Sequence, residues 1–245
     1  MDPARHAGRA RTRLRLAPHR TVAAVSETAR RGRFITFEGG EGAGKSTQAR
    51  FLVQELADRG IRCVMTREPG GSPGAEIMRE VLLSGAAAPF GPEAETILFA
   101  SARRDHLDQT ILPALARGDW VICDRFSDST RVYQGVAGKV DLDFILKLER
   151  ATVGADRPDL TLILDLPPKV GLARVARRSD GALDRFEREG LAFHTKLRQG
   201  FKALAKAEPN RCKLIDATGD ASAVAAAIRE TVIAHFELAP RMVAT

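Results

Sequence analysis

The feature that most restricts the fold is the stretch FEGGEGAGKST at residues 37–47, in which four glycines fall within the six positions before Lys45. It fits the pattern G-x4-G-K-[ST], with the β-rich run before it and the helical run after it that this motif requires. Glycine permits tight turns that a Cβ would forbid, so several backbone N–H groups can point into one concavity beside a helix N-terminus. The pattern therefore predicts a nucleoside triphosphate site in a strand-loop-helix unit.

Two side chains of this loop have predicted roles of their own. Lys45 supplies a positive charge to the β and γ phosphates, and Ser46 offers a hydroxyl to Mg²⁺. The predicted nucleotide-binding residues are Gly39, Gly40, Glu41, Gly42, Ala43, Gly44, Lys45, Ser46 and Thr47.

After Arg33, short β-rich apolar runs alternate with helical patterns, which is typical of βαβ units and a parallel sheet. We predict a doubly wound α/β fold in which helices flank a five-stranded parallel sheet. A first helix is expected from about Lys45 to Arg59, ended by Gly60, and a last helix near Ala221 to Phe236. The predicted strands are Phe34 to Glu38, Arg62 to Thr66, Trp120 to Cys123, Leu160 to Asp165 and Lys213 to Asp216.

Each predicted strand ends in a polar residue or is directly followed by one. In an open parallel sheet the ligand binds beyond the carboxyl ends of the strands. We therefore expect these strand-end residues to ring one crevice: Glu38, Thr66, Asp124, Asp165 and Asp216.

The net charge of +7 is concentrated at the N-terminus. Residues 1–33 hold nine arginines against only Asp2 and Glu27, so the rest of the chain is balanced in charge. A neutral body argues against a DNA-binding domain, although the basic segment allows weak contact with RNA or an anionic membrane. We interpret residues 1–32 as a disordered extension or a mis-assigned start, with an organelle transit peptide as the alternative.

Composition places the remaining chain among soluble proteins of the cytoplasm. We interpret residues 33–237 as one P-loop domain and residues 238–245 as a tail. No apolar run reaches the 18 residues of a membrane-spanning helix, and no secretory signal pattern is present. The three cysteines are far apart and outside any CxxC spacing, which supports neither a disulfide framework nor a zinc site. We expect no nucleic-acid partner and no membrane partner.

The loop alone does not distinguish GTPases, motors and small-molecule kinases. A GTPase needs a guanine-reading NKxD segment after a late strand, and the chain has none. Residues 216–219 fit the DxxG pattern of a GTPase switch, but they follow the last strand instead of an early one. A switching function is therefore disfavoured.

Asp124 and Arg125 directly follow the apolar run Trp120 to Cys123. An aspartate at the end of a buried strand beside the P-loop strand can hold Mg²⁺ through water. Arg125 then points into the same crevice, unless it only pairs with the aspartate for structural reasons. Guanidinium groups suit phosphate geometry, so a cluster of them near one anion cradle indicates a second phosphate-bearing substrate. The other arginines of this cluster are Arg67, Arg79 and Arg103.

A second arginine-rich segment contains Arg174, Arg177 and Arg178, followed by a Gly-containing loop and LDRFE at residues 183–187. A lid that closes over transferring phosphates needs such cations to exclude water and to offset charge on the γ-phosphoryl group. The alternative is a solvated helix face. We predict an arginine-rich lid at about residues 174–187.

Together these residues resemble the thymidylate kinase family of the bacterial type, within the nucleoside-monophosphate kinases. The resemblance covers about Arg33 to Phe236. It rests on five segments in order: FITFEGGEGAGKST, TREPGG, LFASARRDH, DRFSDSTRVYQG and RPDLTLILD. It implies transfer of the γ-phosphoryl group of ATP, with Mg²⁺, to dTMP for dTTP synthesis, by a protein that is usually a homodimer.

The resemblance also implies roles for single residues. Phe99 would stack on thymine, Arg103 would hydrogen-bond its exocyclic oxygen, and Tyr133 would crowd the 2′ position and favour deoxyribose. Glu41 would contact the sugar or a metal-bound water. The implied dTMP-binding residues are Glu41, Arg67, Arg79, Phe99, Arg103, Arg125, Ser129, Thr130, Tyr133 and Gln134, and the implied metal site is Ser46, Asp124 and Glu41.

Two positions depart from the family pattern. Residues 41–43 carry no cation, whereas some family members place an arginine there, so the lid would supply the charge and Arg178, next to the loop tip, is favoured. Phe126 stands where the family usually has Tyr or His, so a hydroxyl or imidazole contact at the phosphate site is lost. The predicted catalytic residues are Lys45, Arg125, Arg174, Arg177 and Arg178.

Two other functions stay open at the level of sequence. One is another nucleoside-monophosphate kinase or a deoxynucleoside kinase on the same fold. The other is a non-catalytic ATP-binding or RNA-binding module that uses the basic extension.

Overall fold

The computed structural model describes residues 31–178 and 185–239, without the side chain of Arg178. Its centre is a sheet of five parallel strands in the order β2-β3-β1-β4-β5. The strands are β1 (Phe34–Gly39), β2 (Cys63–Arg67), β3 (Trp120–Asp124), β4 (Leu160–Asp165) and β5 (Cys212–Asp216). The predicted doubly wound five-stranded fold is confirmed.

Helices cover both faces of this sheet. Residues 88–90 form a 3-10 turn, and π-helical segments at Leu107–Ile111 and Arg131–Ala137 continue the helices that precede them. The helices in the described ranges are α1 (Lys45–Ala57), α2 (Pro73–Ser84), α3 (Pro92–His106), α4 (Leu112–Ala116), α5 (Ser127–Thr130), α6 (Leu142–Thr152), α7 (Pro168–Arg178), α8 (Leu191–Ala207) and α9 (Ala221–Phe236).

The central strand β1 is buried along all six residues, as expected for a parallel sheet with both faces covered. Successive side chains point to opposite faces of a strand. Ile35 and Phe37 pack with α1 and α9, whereas Phe34 packs with Val121 and the segment around Leu107 on the other face. The alternation fixes the register of β1 between two hydrophobic cores.

Element boundaries differ from the sequence prediction by one or two residues. Gly39 extends β1 because it pairs with Leu164 of β4. Helix α1 ends at Ala57 instead of Arg59 because a tight turn closes it, in which the Gly60 N–H donates to the Ala57 carbonyl at 2.9 Å. Gly60 has the left-handed φ of 76° expected at a helix end.

Several predictions fall on residues outside the described ranges. These are nearly all of the extension (residues 1–30), the middle of the lid (residues 179–184) and the end of the tail (residues 240–245). Within the described ranges, no helix has the length and apolar character needed to cross a membrane.

Candidate active site

A cleft of about 520 Å³ opens at the carboxyl ends of the strands, where the sequence predicts the site. It is lined by most of the predicted side chains, and it includes several residues that sequence reasoning did not assign. The predicted lining residues are Glu41, Gly42, Gly44, Lys45, Ser46, Thr47, Arg67, Arg79, Phe99, Arg103, Asp124, Arg125, Ser129, Thr130, Tyr133 and Gln134. The unassigned ones include Arg50, Glu68, Phe126, Phe186 and Glu187.

The glycines of the loop after β1 serve distinct steric purposes. Gly42 has a φ of 68°, and a Cβ there would lie 2.1 Å from the carbonyl oxygen of Gly171 in α7. A Cβ on Gly171 would in turn lie 2.2 Å from the Glu41 carbonyl oxygen. The loop and α7 therefore touch backbone to backbone, which requires glycine on both sides. Sequence reasoning missed Gly171 because it lies in an ordinary helical run.

Lys45 begins α1 and turns back over the loop. Its Nζ donates to the carbonyl oxygens of Gly40 at 2.8 Å and Gly39 at 3.2 Å. Burial and the neighbouring Arg125 lower the pKa of this amine, while the Glu41 carboxylate opposes them. A bound polyphosphate would supply the anionic partner that this buried cation needs.

Ser46 and Asp124 meet across the cleft, where the Ser46 hydroxyl donates to the Asp124 carboxylate in a short hydrogen bond. Among the described residues, no group of three or more His, Cys, Asp or Glu side chains could hold a metal ion. One carboxylate and one hydroxyl suit Mg²⁺, which usually takes one or two carboxylates and completes its shell with phosphates and water. The residues present thus fit a magnesium-nucleotide complex better than a metal held by protein alone.

Arg125 and Glu41, both largely buried, form a cluster with the buried Tyr133 between the loop and the opposite wall. The Glu41 Oε1 accepts from Arg125 Nη2 at 2.6 Å and from the Tyr133 hydroxyl at 2.7 Å. Burial opposes ionisation of Glu41, but Arg125 and Lys45 outweigh it and bring the pKa down to about 2. Burial raises the pKa of Tyr133 well above its ordinary value. The cluster is therefore a carboxylate-guanidinium pair with a neutral phenol.

The backbone of Arg125 is held in an uncommon conformation. It has a φ of 70°, which is costly for a residue with a Cβ. Its Nη1 donates to the Gly39 carbonyl at 3.0 Å and to the Ser129 hydroxyl at 3.2 Å. The guanidinium also lies 4.9 Å from the centre of the Tyr133 ring. These contacts fix the Arg125 guanidinium beside the phosphate loop.

Glu38 is a fully buried carboxylate just before the loop, and sequence reasoning placed it only among the strand ends. Its Oε1 accepts from the Phe126 N–H at 2.8 Å, and its Oε2 accepts from the Ser129 hydroxyl at 2.5 Å. Burial and the neighbouring Asp128 raise its pKa to about 7. Glu38 thus ties the segment after β3 to the phosphate loop.

The raised pKa of Glu38 makes stability depend on pH. In the unfolded chain this carboxyl has its ordinary pKa of 4.5, so between pH 4.5 and 7 the folded state keeps a proton that the unfolded state has released. The free energy of unfolding contributed by this group therefore falls as pH rises through that window, by roughly 3 kcal/mol in total. We expect urea titrations to show that Glu38→Gln removes this decline. The exposed Glu230→Gln is the control, and a wild-type-like profile for Glu38→Gln would contradict the assignment.

Aromatic side chains form the inner end of the cleft. Phe186 lies 6.5 Å from Phe99 and 5.5 Å from Tyr133 between ring centres. Gln134 is buried in the same wall, and its side chain makes no hydrogen bond to other described residues. A planar base with hydrogen-bonding edges fits such a pocket. Sequence reasoning included Phe186 in the lid but gave it no role.

Arg103 reaches this pocket from α3. Its Nε donates to Glu68 at 2.8 Å and its Nη2 donates to Thr130 at 3.0 Å. Phe126 is fully buried, packs edge-on against Phe34 at 4.9 Å and lies 5.2 Å below the Arg103 guanidinium. The side chain at position 126 therefore packs under the Arg103 guanidinium.

Arg67 and Arg79 border the cleft on the side of α2. Arg67 pairs with Glu76 at 3.0 Å, and Arg79 donates to the Pro69 carbonyl at 2.6 Å. Glu76 also accepts from the Gly71 N–H at 2.8 Å, and this hydrogen bond, ahead of Arg67, lowers its pKa. The loop after β2 is thereby held in place beside both arginines.

The predicted lid arginines lie on α7, beside the phosphate loop. Arg174 is exposed, and its Nη1 lies 3.5 Å from the Gly42 carbonyl oxygen. Arg177 is exposed as well, and Arg178 is the last residue of α7. At the far end of the lid, Arg185 pairs with the buried Glu95 of α3. The contact of Gly42 with Gly171 brings this helix close to the anion cradle.

Three comparisons relate the chain to known proteins. The family model described as thymidylate kinase matches residues 37–228. A thymidylate kinase of Bradyrhizobium sp. (strain ORS 278) is 57% identical over 211 residues, which cover 86% of this chain and 93% of that protein. One of Nitrobacter winogradskyi is 57% identical over 199 residues, with 81% and 86% covered.

A solved structure gives the same relation. The crystal structure of thymidylate kinase from Ehrlichia chaffeensis aligns with a TM-score of 0.67 at 31% identity. The alignment covers 82% of this chain and 98% of that one.

Proposed function

Because this chain belongs to the thymidylate kinase family, we propose that its cleft binds ATP with Mg²⁺ and passes the γ-phosphoryl group to dTMP. The protein is a kinase that phosphorylates dTMP to dTDP. The observation that carries the proposal is the meeting of two anion-binding groups in one cleft. Lys45, at the N-terminus of α1, lines it together with Arg67, Arg79 and Arg125, and Lys45 and Arg125 both donate to the Gly39 carbonyl.

To catalyse this reaction the protein mainly has to position the two nucleotides and neutralise the charge of their phosphates. The attacking phosphate oxygen of dTMP is already anionic, so in-line transfer needs no strong general base. Lys45 would leave the loop carbonyls for the β and γ phosphates. Ser46 and Asp124 would hold Mg²⁺, which would supply positive charge to offset the charge of the phosphates.

The acceptor site is proposed from the remaining contacts. Phe99 and Gln134 would bind the base together with Arg103, while Thr130 and Ser129 steady the two arginines beside it. Arg67, Arg79 and Arg125 would hold the monophosphate. Tyr133, held by Glu41, would lie against the 2′ position of the sugar and favour deoxyribose.

The lid would supply the last positive charge. Residues 41–43 contain no cation, so Arg174, Arg177 or Arg178 would approach the transferring group, and we favour Arg178. Support comes from the backbone contact of α7 with the phosphate loop, which brings this arginine-bearing helix next to the loop that we propose holds the ATP phosphates.

A panel of acceptors tests the proposed function. The full chain is incubated with ATP, Mg²⁺ and each of dTMP, dUMP, dCMP, GMP, AMP and thymidine, and ADP release is measured. We expect a strong preference for dTMP. Preference for another monophosphate would remove the thymine assignment, and equal ADP release without any acceptor would remove the kinase assignment.

We also propose that the protein acts as a homodimer through an apolar face on α2, α3 and the turn between them. Phe90 and Ile77 are 77% and 67% exposed, and Val81 and Ile97 lie on the same packed elements. Exposed apolar patches of this kind mark interaction sites. Sedimentation analysis is expected to give a dimer, and Phe90→Glu with Ile77→Glu a monomer.

A cytoplasmic location is supported by three unpaired cysteines, Cys63, Cys123 and Cys212, since disulfides are rare in that compartment. We propose residues 33–237 as the catalytic domain, with residues 1–32 as an extension and 238–245 as a tail. Neither a nucleic acid nor a membrane is needed as a partner for this reaction.

A further inference from the structure

The Arg103 guanidinium is an anchored group. Its side chain is only 4% exposed, and burying an unpaired guanidinium would cost several kcal/mol. Glu68 accepts a hydrogen bond from Nε and Thr130 accepts one from Nη2. The Phe126 ring covers one side of the guanidinium plane. Nη1 makes no hydrogen bond to the described residues, is not among the fully buried atoms left without a partner, and belongs to a residue that lines the cleft. Its direction is therefore set by what holds the other two nitrogens.

Glu68 is itself held by a second buried group. Its other oxygen, Oε1, lies 3.1 Å from Nδ1 of His106, which is fully buried. The Nε2 of His106 lies 2.7 Å from the Thr66 hydroxyl. An ionised carboxylate only accepts hydrogen bonds, so the Nδ1 proton faces Glu68. The result is a continuous chain of hydrogen bonds from Thr66 through His106 and Glu68 to Arg103.

This chain of four side chains joins two elements. Thr66 and Glu68 stand at the end of β2, while Arg103 and His106 are three residues apart on one face of α3. A Cβ at Gly71 would lie 2.4 Å from both the His106 Nε2 and the Thr66 hydroxyl oxygen. The loop after β2 thus packs directly over the imidazole and leaves it no room to turn.

We propose that Thr66, Glu68 and His106 are positioning residues that aim Nη1 of Arg103 at position 4 of the pyrimidine and so set selectivity for an oxygen there. The inference rests on the proposed function, because it needs dTMP in this cleft. A guanidinium only donates hydrogen bonds, so it pairs with the 4-oxygen of thymine or uracil and opposes the 4-amino group of cytosine. Rejection of a wrong group by a hydrogen-bonding site depends on the donor being fixed.

The test compares kcat/KM for dTMP, dUMP and dCMP in the full chain and in Glu68→Gln, His106→Leu and Thr66→Val. We expect the dTMP to dCMP ratio to fall about tenfold in the first two variants, the size of one lost charged hydrogen bond. The dTMP to dUMP ratio is expected to stay constant, because both bases carry the 4-oxygen. KM for dTMP rises while KM for ATP does not change.

Two further variants separate positioning from folding. His106→Asn keeps a donor facing Glu68 and is expected to restore part of the dTMP to dCMP ratio lost in His106→Leu. Glu208→Gln changes a carboxylate that pairs with Arg131, Arg157 and Arg211 outside the cleft, and its ratio is expected to match wild type. If the other variants do not fold, Thr66→Val, the mildest change, still tests the proposal. Calorimetric binding of dTMP and dCMP then gives the selectivity as a ratio of affinities.

The outcomes are distinct. A wild-type dTMP to dCMP ratio in all variants, with only thermal stability reduced, overturns the positioning role and leaves the proposed function intact. A wild-type protein that does not distinguish dTMP from dCMP overturns both.

Discussion

Replacing Lys45 with alanine is expected to lower turnover by on the order of 10³ or more, because one of the few cations that meet the transferring phosphoryl group is lost. Lys45 is the first residue of α1, and its amine already lies within hydrogen-bond distance of two loop carbonyls. The rate of ADP release with saturating ATP, Mg²⁺ and dTMP measures the effect. Near-normal phosphotransfer in Lys45→Ala would show that the cleft is not where the reaction occurs.

A matched control separates this local charge from net charge. Lys213 lies on the edge strand β5, and its amine contacts only the Pro209 carbonyl at 2.7 Å among the described residues. Lys213→Ala removes the same charge far from the cleft. We expect it to keep wild-type turnover, and a comparable loss in both variants would assign the effect to net charge.

Replacing Arg125 with alanine is expected to reduce both activity and stability. The dTMP site loses the guanidinium group that we propose binds the phosphate of dTMP. We therefore expect kcat/KM for dTMP to fall by on the order of 10³ or more. Glu41 is left as a largely buried carboxylate without its closest cation, which costs roughly 3–5 kcal/mol of unfolding free energy. Steady-state kinetics and urea unfolding measure the two losses separately.

A second substitution distinguishes the two losses. Adding Glu41→Gln to Arg125→Ala removes the unpaired charge, so part of the unfolding free energy is expected to return while activity stays low. Arg125→Lys keeps the charge without the planar fork, and we expect it to bind dTMP less tightly than wild type. Full activity in Arg125→Ala would contradict the placement of the acceptor phosphate.

The fold could be predicted from sequence because its signals are local. Apolar runs such as Leu160–Asp165 and the glycine-rich loop before Lys45 each define one element, and alternation of elements defines the parallel sheet. The observed element boundaries differ from the predicted ones where pairing with a neighbouring strand determines them. Gly39 joins β1 because β4 lies beside it, which the sequence of β1 alone does not reveal.

The site could be predicted only in part, and the residues that were not predicted were missed for one physical reason. Glu38 contacts Ser129, and Glu68 contacts Arg103 and His106, across 35 or more positions of chain. Such pairings arise from the fold and leave no local pattern. The charged side chains that ring the cleft were found from the phosphate-loop motif, the arginine cluster and the family resemblance. Of the five strand-end residues expected to ring the crevice, only Asp124 lines the cleft, and Asp165 pairs with Arg198 instead.

Gly171 shows the same limit for backbone packing. Its position in a helical run gives no sign that a carbonyl from the phosphate loop lies against it. Phe186 lies in the segment LDRFE of the predicted lid, but its ring contacts depend on where α3 and the Tyr133 segment come to lie.

The central claim is direct transfer of a phosphoryl group between two nucleotides in one cleft, and product identity tests it most directly. The full chain is incubated with ATP, Mg²⁺ and dTMP, and all nucleotides are separated by chromatography over time. The account predicts dTDP and ADP in equal amounts, with no free phosphate. ADP and inorganic phosphate with dTMP unchanged would contradict it, because the cleft would then hydrolyse ATP without holding the acceptor.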